Sequence, residues 1–192
     1  MALSSRTGAQ MLVDQLLLNG VDTIFCVPGE SYLPVLDALY EPAQAGRVRL
    51  ISARHEGGAS FMAEAYGKLT GRPGICFATR GPGASNAAIG VHTAFHDSTP
   101  MILFIGQVAR GFSEREAFQE IDFRRMFGPI SKWATQIDDP ARIPELLARA
   151  FALALSGRPG PAVIALPEDM LDEMTTAADA APARRVQAHP GA

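Results

Sequence analysis

The sequence predicts an α/β domain: a doubly wound, mainly parallel sheet with helices on both faces. Three observations carry that prediction. Short runs such as Thr23 to Val27, Gly74 to Thr79 and Met101 to Ile105 are almost continuously apolar, as strands covered on both faces must be. Amphipathic stretches of helical length separate them. Glycine-bearing turns close several of the runs, where a strand hands over to a helix. Right-handed crossovers between parallel strands then lay the helices on both faces.

Each element follows in order. Thr7 is a helix cap ahead of Leu12, Val13, Leu16 and Leu17, which recur at helical spacing, and Gly20 stops that helix. Thr23 to Val27 is the first strand, Pro28-Gly29 turns the chain, and Ser31 caps a helix carrying Leu33, Leu36, Leu39 and Tyr40. Arg47 to Ile51 is the second strand. Glu56 to Leu69 is a helix whose Gly57, Gly58, Ala59, Ala63 and Ala65 permit close packing. Gly74 to Thr79 is the third strand, followed by a helix from Pro82 to about Phe95 and, after Pro100, the fourth strand, Met101 to Ile105. Pro140 to Leu155 is a helix with Ile143, Leu146, Leu147 and Phe151 on one face, and Ala162 to Leu166 is the fifth strand. Between Ala109 and Trp133 the rhythm breaks: charged residues interleave with Phe112, Phe118, Phe123 and Phe127. A connection that long in a compact domain is more often functional than idle.

Composition narrows the function classes. At 192 residues the chain holds one domain and a little more, at roughly 150 residues per domain. Apolar residues make up 47% and charged residues 19%, enough for a sizeable core and incompatible with a disordered chain. The net charge of −3 and the lack of any basic block beyond pairs such as Arg124-Arg125 and Arg184-Arg185 argue against nucleic-acid binding. No apolar run approaches the about 20 residues that cross a bilayer, and no signal-type leader is visible, so no membrane partner is expected. The two cysteines, Cys26 and Cys76, each sit in an apolar segment and read as buried reduced thiols of a cytoplasmic protein. From Glu173 to Ala192 the chain carries seven alanines and two prolines, with Met174 and Val186 as its only larger aliphatic residues. Residues 1–172 are therefore expected to form the domain and 173–192 an Ala/Pro-rich linker towards something further.

Ligands of open parallel sheets bind at the carboxyl ends of the strands. Four turns stand there: Pro28 to Ser31, Arg54 to Gly58, Arg80 to Asn86, and Gly106 to Val108. Glu56 opens a helix of small residues, where the helix dipole or a pairing with Arg54 would suffice to place an acid; the alternative is a carboxyl group facing a ligand. The Gly81-Pro82-Gly83 turn lies where a dinucleotide loop would, which leaves a nucleotide-binding module as an alternative. Asn86 replaces its third glycine, however, and Pro82 removes a backbone donor. His92 and His96 share a helix face, but no third ligand accompanies them, so no metal site is expected.

Several motifs in order carry a resemblance. Arg54-His55-Glu56-Gly57-Gly58-Ala59 with Met62 to Gly67, Phe25 to Gly29, Gly81-Pro82-Gly83-Ala84-Ser85-Asn86, Ala117-Phe118-Gln119-Glu120, and Gly157 to Pro161 with Leu166 to Asp169 resemble the pyrimidine-binding domain of thiamine-diphosphate enzymes related to acetolactate synthase. The resemblance covers the chain to about residue 172 and implies the thiamine-diphosphate-binding fold.

It also implies roles. Glu56 would hydrogen-bond N1′ of the cofactor's aminopyrimidine and exchange a proton there, so that the thiazolium C2 loses its own and attacks a 2-keto acid. Burial would raise the Glu56 pKa while the helix N-terminus would oppose that, and burial must win. Pro28, Gly29, Gly83 and Asn86 would line the pyrimidine pocket. Gln119, a second catalytic candidate, would face substrate with Phe118 beside it. The resemblance further implies a homodimer or larger, and a diphosphate-binding domain elsewhere that holds magnesium, since this chain has no Gly-Asp pair and only Asn19 and Asn86 as asparagines. FAD is a further cofactor of some members. The chain would then be the first domain of a longer enzyme, inactive alone, or one subunit of a split 2-keto acid decarboxylase. Glu30 and Gly57 depart from the usual Gly and Gln of acetolactate synthases.

Overall fold

A computed structural model of the chain describes residues 5–183. The second half of the expected linker, with Arg184-Arg185 and Val186, lies outside the described residues.

Six parallel strands form the main sheet: β2 (Thr23–Cys26), β3 (Arg49–Ser52), β4 (Gly74–Thr79), β5 (Met101–Gln107), β6 (Trp133–Gln136) and β7 (Pro161–Pro167), in the order β3-β2-β4-β5-β7-β6. A small antiparallel pair, β1 (Arg6–Thr7) with β8 (Met174–Thr175), stands beside it. The helices are α1 (Gly8–Leu18), α2 (Leu33–Ala38), α3 (Tyr40–Gln44), α4 (Glu56–Thr70), α5 (Arg80–His96), α6 (Phe123–Phe127), α7 (Ile143–Leu155) and α8 (Glu168–Asp172).

The period-two alternation of strand side chains divides the interior into two cores. Ile24, Cys26, Ile75, Phe77, Ile102, Phe104, Ile164 and Leu166 face Met11, Leu12, Leu16, Val35, Leu147 and Phe151. The intervening Phe25, Cys76, Ala78, Met101, Leu103, Ile105, Val163 and Ala165 face the alanines of α4 and α5 and Phe123 and Phe127 of α6. Cys26 and Cys76 are buried free thiols on opposite faces, and burial pushes the Cys76 thiol well above its usual range.

The structure corrects several boundaries. Ser31 caps no helix: its hydroxyl bonds that of Thr79, and Glu30–Tyr32 is a 3₁₀ turn leading into α2. The helix expected through Tyr40 is divided at Leu39 into α2 and α3. The helix after β4 begins at Arg80, two residues before Pro82, because proline lacks only a donor that the first turn leaves unpaired anyway. Strand β6 was not among the five expected. The chain also stays on the domain after residue 172: β8 pairs with β1, Arg6 meets Asp179 at 3.0 Å, Gln15 Nε2 donates to Asp179 at 2.9 Å, and the Ala183 amide donates to Asn19 Oδ1 at 2.9 Å. A segment poor in large apolar groups is thus held by strand pairing, hydrogen bonds and an ion pair to β1, α1 and the end of α1 rather than by a core of its own.

The second strand is shifted to Arg49–Ser52, and the helix expected from Pro140 opens as a 3₁₀ turn, Pro140–Arg142, before α7. Thr7 caps α1 in a reciprocal capping box with Gln10, and α4 ends on Gly71 in the left-handed conformation (φ 65°). No described helix is long and apolar enough to cross a membrane.

Candidate functional site

Strand β2 runs outward to β3 on one side, and the chain then crosses to β4 on the other side of β2. That reversal opens a crevice outside the carboxyl ends of the strands, the place where such sheets bind ligands. The turns after β2, β3 and β4 meet there, and each carries residues expected from the sequence.

Glu56 is the first residue of α4 and is partly buried. His55 caps the helix, its Nδ1 accepting from the Gly57 amide at 3.0 Å, which leaves the ring proton on Nε2. Asn86 Nδ2 donates to Glu56 Oε2 at 3.0 Å. The other carboxylate oxygen lies over Gly83, where a Cβ would stand 3.1 Å from Oε1. The approach of α5 to α4 that permits this rests on Gly90, whose missing side chain leaves space for Ser60. Gly57 meets a similar limit, since a Cβ there would crowd the capping His55 ring at 3.0 Å.

Gly29 sits where a Cβ would strike the Thr79 side chain at 2.5 Å, so the β2 turn lies flat against the end of β4. Pro28 is exposed on that turn. Tyr32 is fully buried beneath it, and its hydroxyl donates to the Val27 carbonyl at 2.5 Å. Gln119 arrives from the long connection: the Gly81 amide donates to its carbonyl at 2.9 Å, and Gln119 itself adopts φ 64°. Phe118 beside it is 70% exposed. The structure therefore brings Gly29, Glu56, Gly83, Asn86 and the Gln119 backbone to one end of the sheet, with Phe118 and Pro28 at the surface.

Arg80 is the member that sequence reasoning missed. It is buried, has φ 33°, and pairs with Glu30 at 3.2 Å and Glu168 at 2.7 Å. The acid at position 30 is thus the partner of an arginine in the facing turn. The signal was present as Glu30 and Arg80 in two turns at the same sheet end.

The Gly81 loop is poorly suited to cradle a phosphate. Its Gly81 amide is already donated to Gln119, and Pro82 has none to give. His92 and His96 hydrogen-bond each other through their Nε2 atoms at 2.9 Å. No group of three metal-ligating side chains occurs among the described residues.

The parallel α/β domain thus presents a carboxylate above a glycine, beside a glycine-rich helix start, at the carboxyl end of its sheet. Residues 6–126 match the family model described as thiamine pyrophosphate enzyme, N-terminal TPP binding domain. The chain is 43% identical over 169 residues to the acetolactate synthase of Arthrospira platensis, covering 88% of this chain and 29% of that protein. It is 44% identical over 167 residues to the acetolactate synthase large subunit of Parasynechococcus marenigrum, covering 87% of this chain and 27% of that protein. For the acetolactate synthase of Bacillus subtilis the identity is 37% over 174 residues, or 91% and 30% of the two chains. The chain belongs to the thiamine pyrophosphate enzyme family and is an acetolactate-synthase-like N-terminal TPP-binding domain. It spans between a quarter and a third of the relatives' length.

Proposed function

We propose that this domain supplies the aminopyrimidine half of a thiamine diphosphate site in an acetolactate-synthase-like enzyme that decarboxylates a 2-keto acid and ligates carbon to carbon. The observation that carries the reading is the Glu56 carboxylate, held by Asn86 and facing the space that Gly83 leaves open. When bound, the cofactor supplies a nucleophilic carbon and an electron sink. The chain's own part is to hold and move a proton at one atom. Glu56 Oε1 would bond the ring nitrogen N1′, with Asn86 fixing Oε2 so that the carboxylate does not rotate away. Gly83 and Gly29 keep the wall low enough for a flat ring, and Pro28 would close its edge. Gln119 and Phe118 would face the 2-keto acid.

That the chain spans between a quarter and a third of its relatives' length supports placing the other half of such a site elsewhere. A diphosphate-binding domain holding magnesium, and FAD where the enzyme uses it, are assigned to the rest of a continuous chain in the cytoplasm. Association through α4 is supported by its exposed stripe of Gly58, Phe61, Met62, Ala65 and Leu69, apolar throughout and spaced as one helix face. A second copy on that stripe would also withdraw Glu56, at the start of the same helix, from water.

The test is Glu56→Gln in the complete enzyme. Turnover is expected to fall by about 10²–10⁴, the usual contribution of a positioned proton-transfer group, with the fold unchanged. Turnover within threefold of the parent would refute the reading.

A further inference from the structure

The long connection between β5 and α6 takes a shape that its own residues disfavour. Glu114, Glu116 and Gln119 lie in the left-handed region at φ 62°, 53° and 64°, and none is a glycine. Its outer residues are exposed, including Phe112 at 58% and Phe118 at 70%, so no apolar core imposes the shape. The restraints are polar, and they converge on one side chain. Glu120 Oε1 accepts from the Glu114 amide at 2.7 Å, and Oε2 accepts from the Ala117 amide at 3.2 Å. The Glu120 amide itself donates to the Ala117 carbonyl at 3.0 Å. On either side the return limb is fixed to the body of the domain: the Gly81 amide donates to Gln119, and buried Gln107 donates through Nε2 to the Ile121 carbonyl at 2.9 Å.

We propose that Glu120 is a positioning residue of the substrate pocket: its carboxylate gathers the outgoing limb of the loop onto the anchored return limb and so holds Phe118 and Gln119 towards the 2-keto acid. It touches no reacting atom. The assignment rests on the proposed function, because that reading is what makes Phe118 and Gln119 a substrate wall. A carboxylate suits the task because it has two acceptor oxygens and no donor, matching two converging N–H groups. A carboxamide in the same place offers one oxygen and turns a donating NH₂ towards the second N–H.

Glu120→Ala and Glu120→Gln separate this role from a bland surface acid. In the complete enzyme, Glu120→Ala is expected to raise KM for the 2-keto acid about tenfold or more, with Glu120→Gln between it and the parent, while KM for thiamine diphosphate stays within twofold. In the 192-residue chain, amide exchange should accelerate at Glu114 and Ala117 in Glu120→Ala and remain unchanged along β5. Unchanged substrate KM with unchanged exchange would overturn the proposal, as would an equal loss of cofactor and substrate affinity, which marks general damage. Active Glu56→Gln enzyme would instead defeat the proposed function, and the exchange measurement would still report whether Glu120 holds the loop.

Discussion

Glu56 owes its place to short-range chemistry that the sequence displays. A histidine cap and a helix start are both local, and the acid in the first helical turn is favoured by the dipole whatever its further role. Its partners are less local. Asn86 and Gly83 stand about thirty residues away, and only the packing of α5 on α4 brings them to the carboxylate. Gly83→Val is therefore expected to weaken thiamine diphosphate binding by about tenfold or more, since branched carbon would fill the space beside Oε1. Cofactor titration by fluorescence or calorimetry checks this, with Gly46→Ala, whose site has open space around it but φ 69°, as a backbone-strain control. The motif turns were thus legible residue by residue. The Glu30–Arg80–Glu168 cluster was visible only as charges at one sheet end, because a pairing between residues so far apart in the chain leaves no periodicity to read.

At the level of elements, the strands read most clearly where they are central. β4, β5 and β7 are buried at nearly every position and betray themselves as apolar runs. β6 escaped because it is a four-residue edge strand, half-buried throughout, that follows an irregular connection. Its sequence, Trp-Ala-Thr-Gln, alternates too briefly to be told from a loop. The crossing of α4 and α5 offers a stability prediction. Gly90→Ala would drive a methyl group into Ser60, an overpacking expected to cost about 1–3 kcal/mol in denaturant unfolding. A second prediction concerns α8. Burial tends to raise the Asp169 pKa, but hydrogen bonds from the Arg110 amide and guanidinium outweigh it and hold the carboxyl below its ordinary value. A depressed folded pKa contributes stability at neutral pH that is lost as pH falls through that value. Arg110→Met should therefore flatten the acid limb of the stability–pH curve, measured by thermal melts from about pH 5 downwards to about pH 2, through and below the ordinary carboxylate range.

On the scale of the whole molecule, the doubly wound architecture followed from alternation alone, because a parallel sheet needs helices on both faces and the chain supplies them in turn. The fate of the Ala/Pro-rich segment did not. Composition showed that residues after 172 could form no core, but not that Asp179 and Ala183 would find polar partners in Arg6, Gln15 and Asn19. The apolar stripe of α4, with Phe61 and Met62 exposed, is the surface through which association is proposed. Phe61→Asp, placed in the middle of that stripe, is expected to shift the complete enzyme towards monomers in light scattering and to lower turnover with it, while leaving the melting temperature of this domain within a few degrees.

The central claim is that Glu56 moves a proton at the cofactor, and deuterium exchange at the thiazolium C2 of thiamine diphosphate bound to the complete enzyme measures its consequence directly. Glu56→Gln should slow that exchange by about 10² or more at saturating cofactor. An exchange rate equal to the parent's, with cofactor bound, would contradict the account.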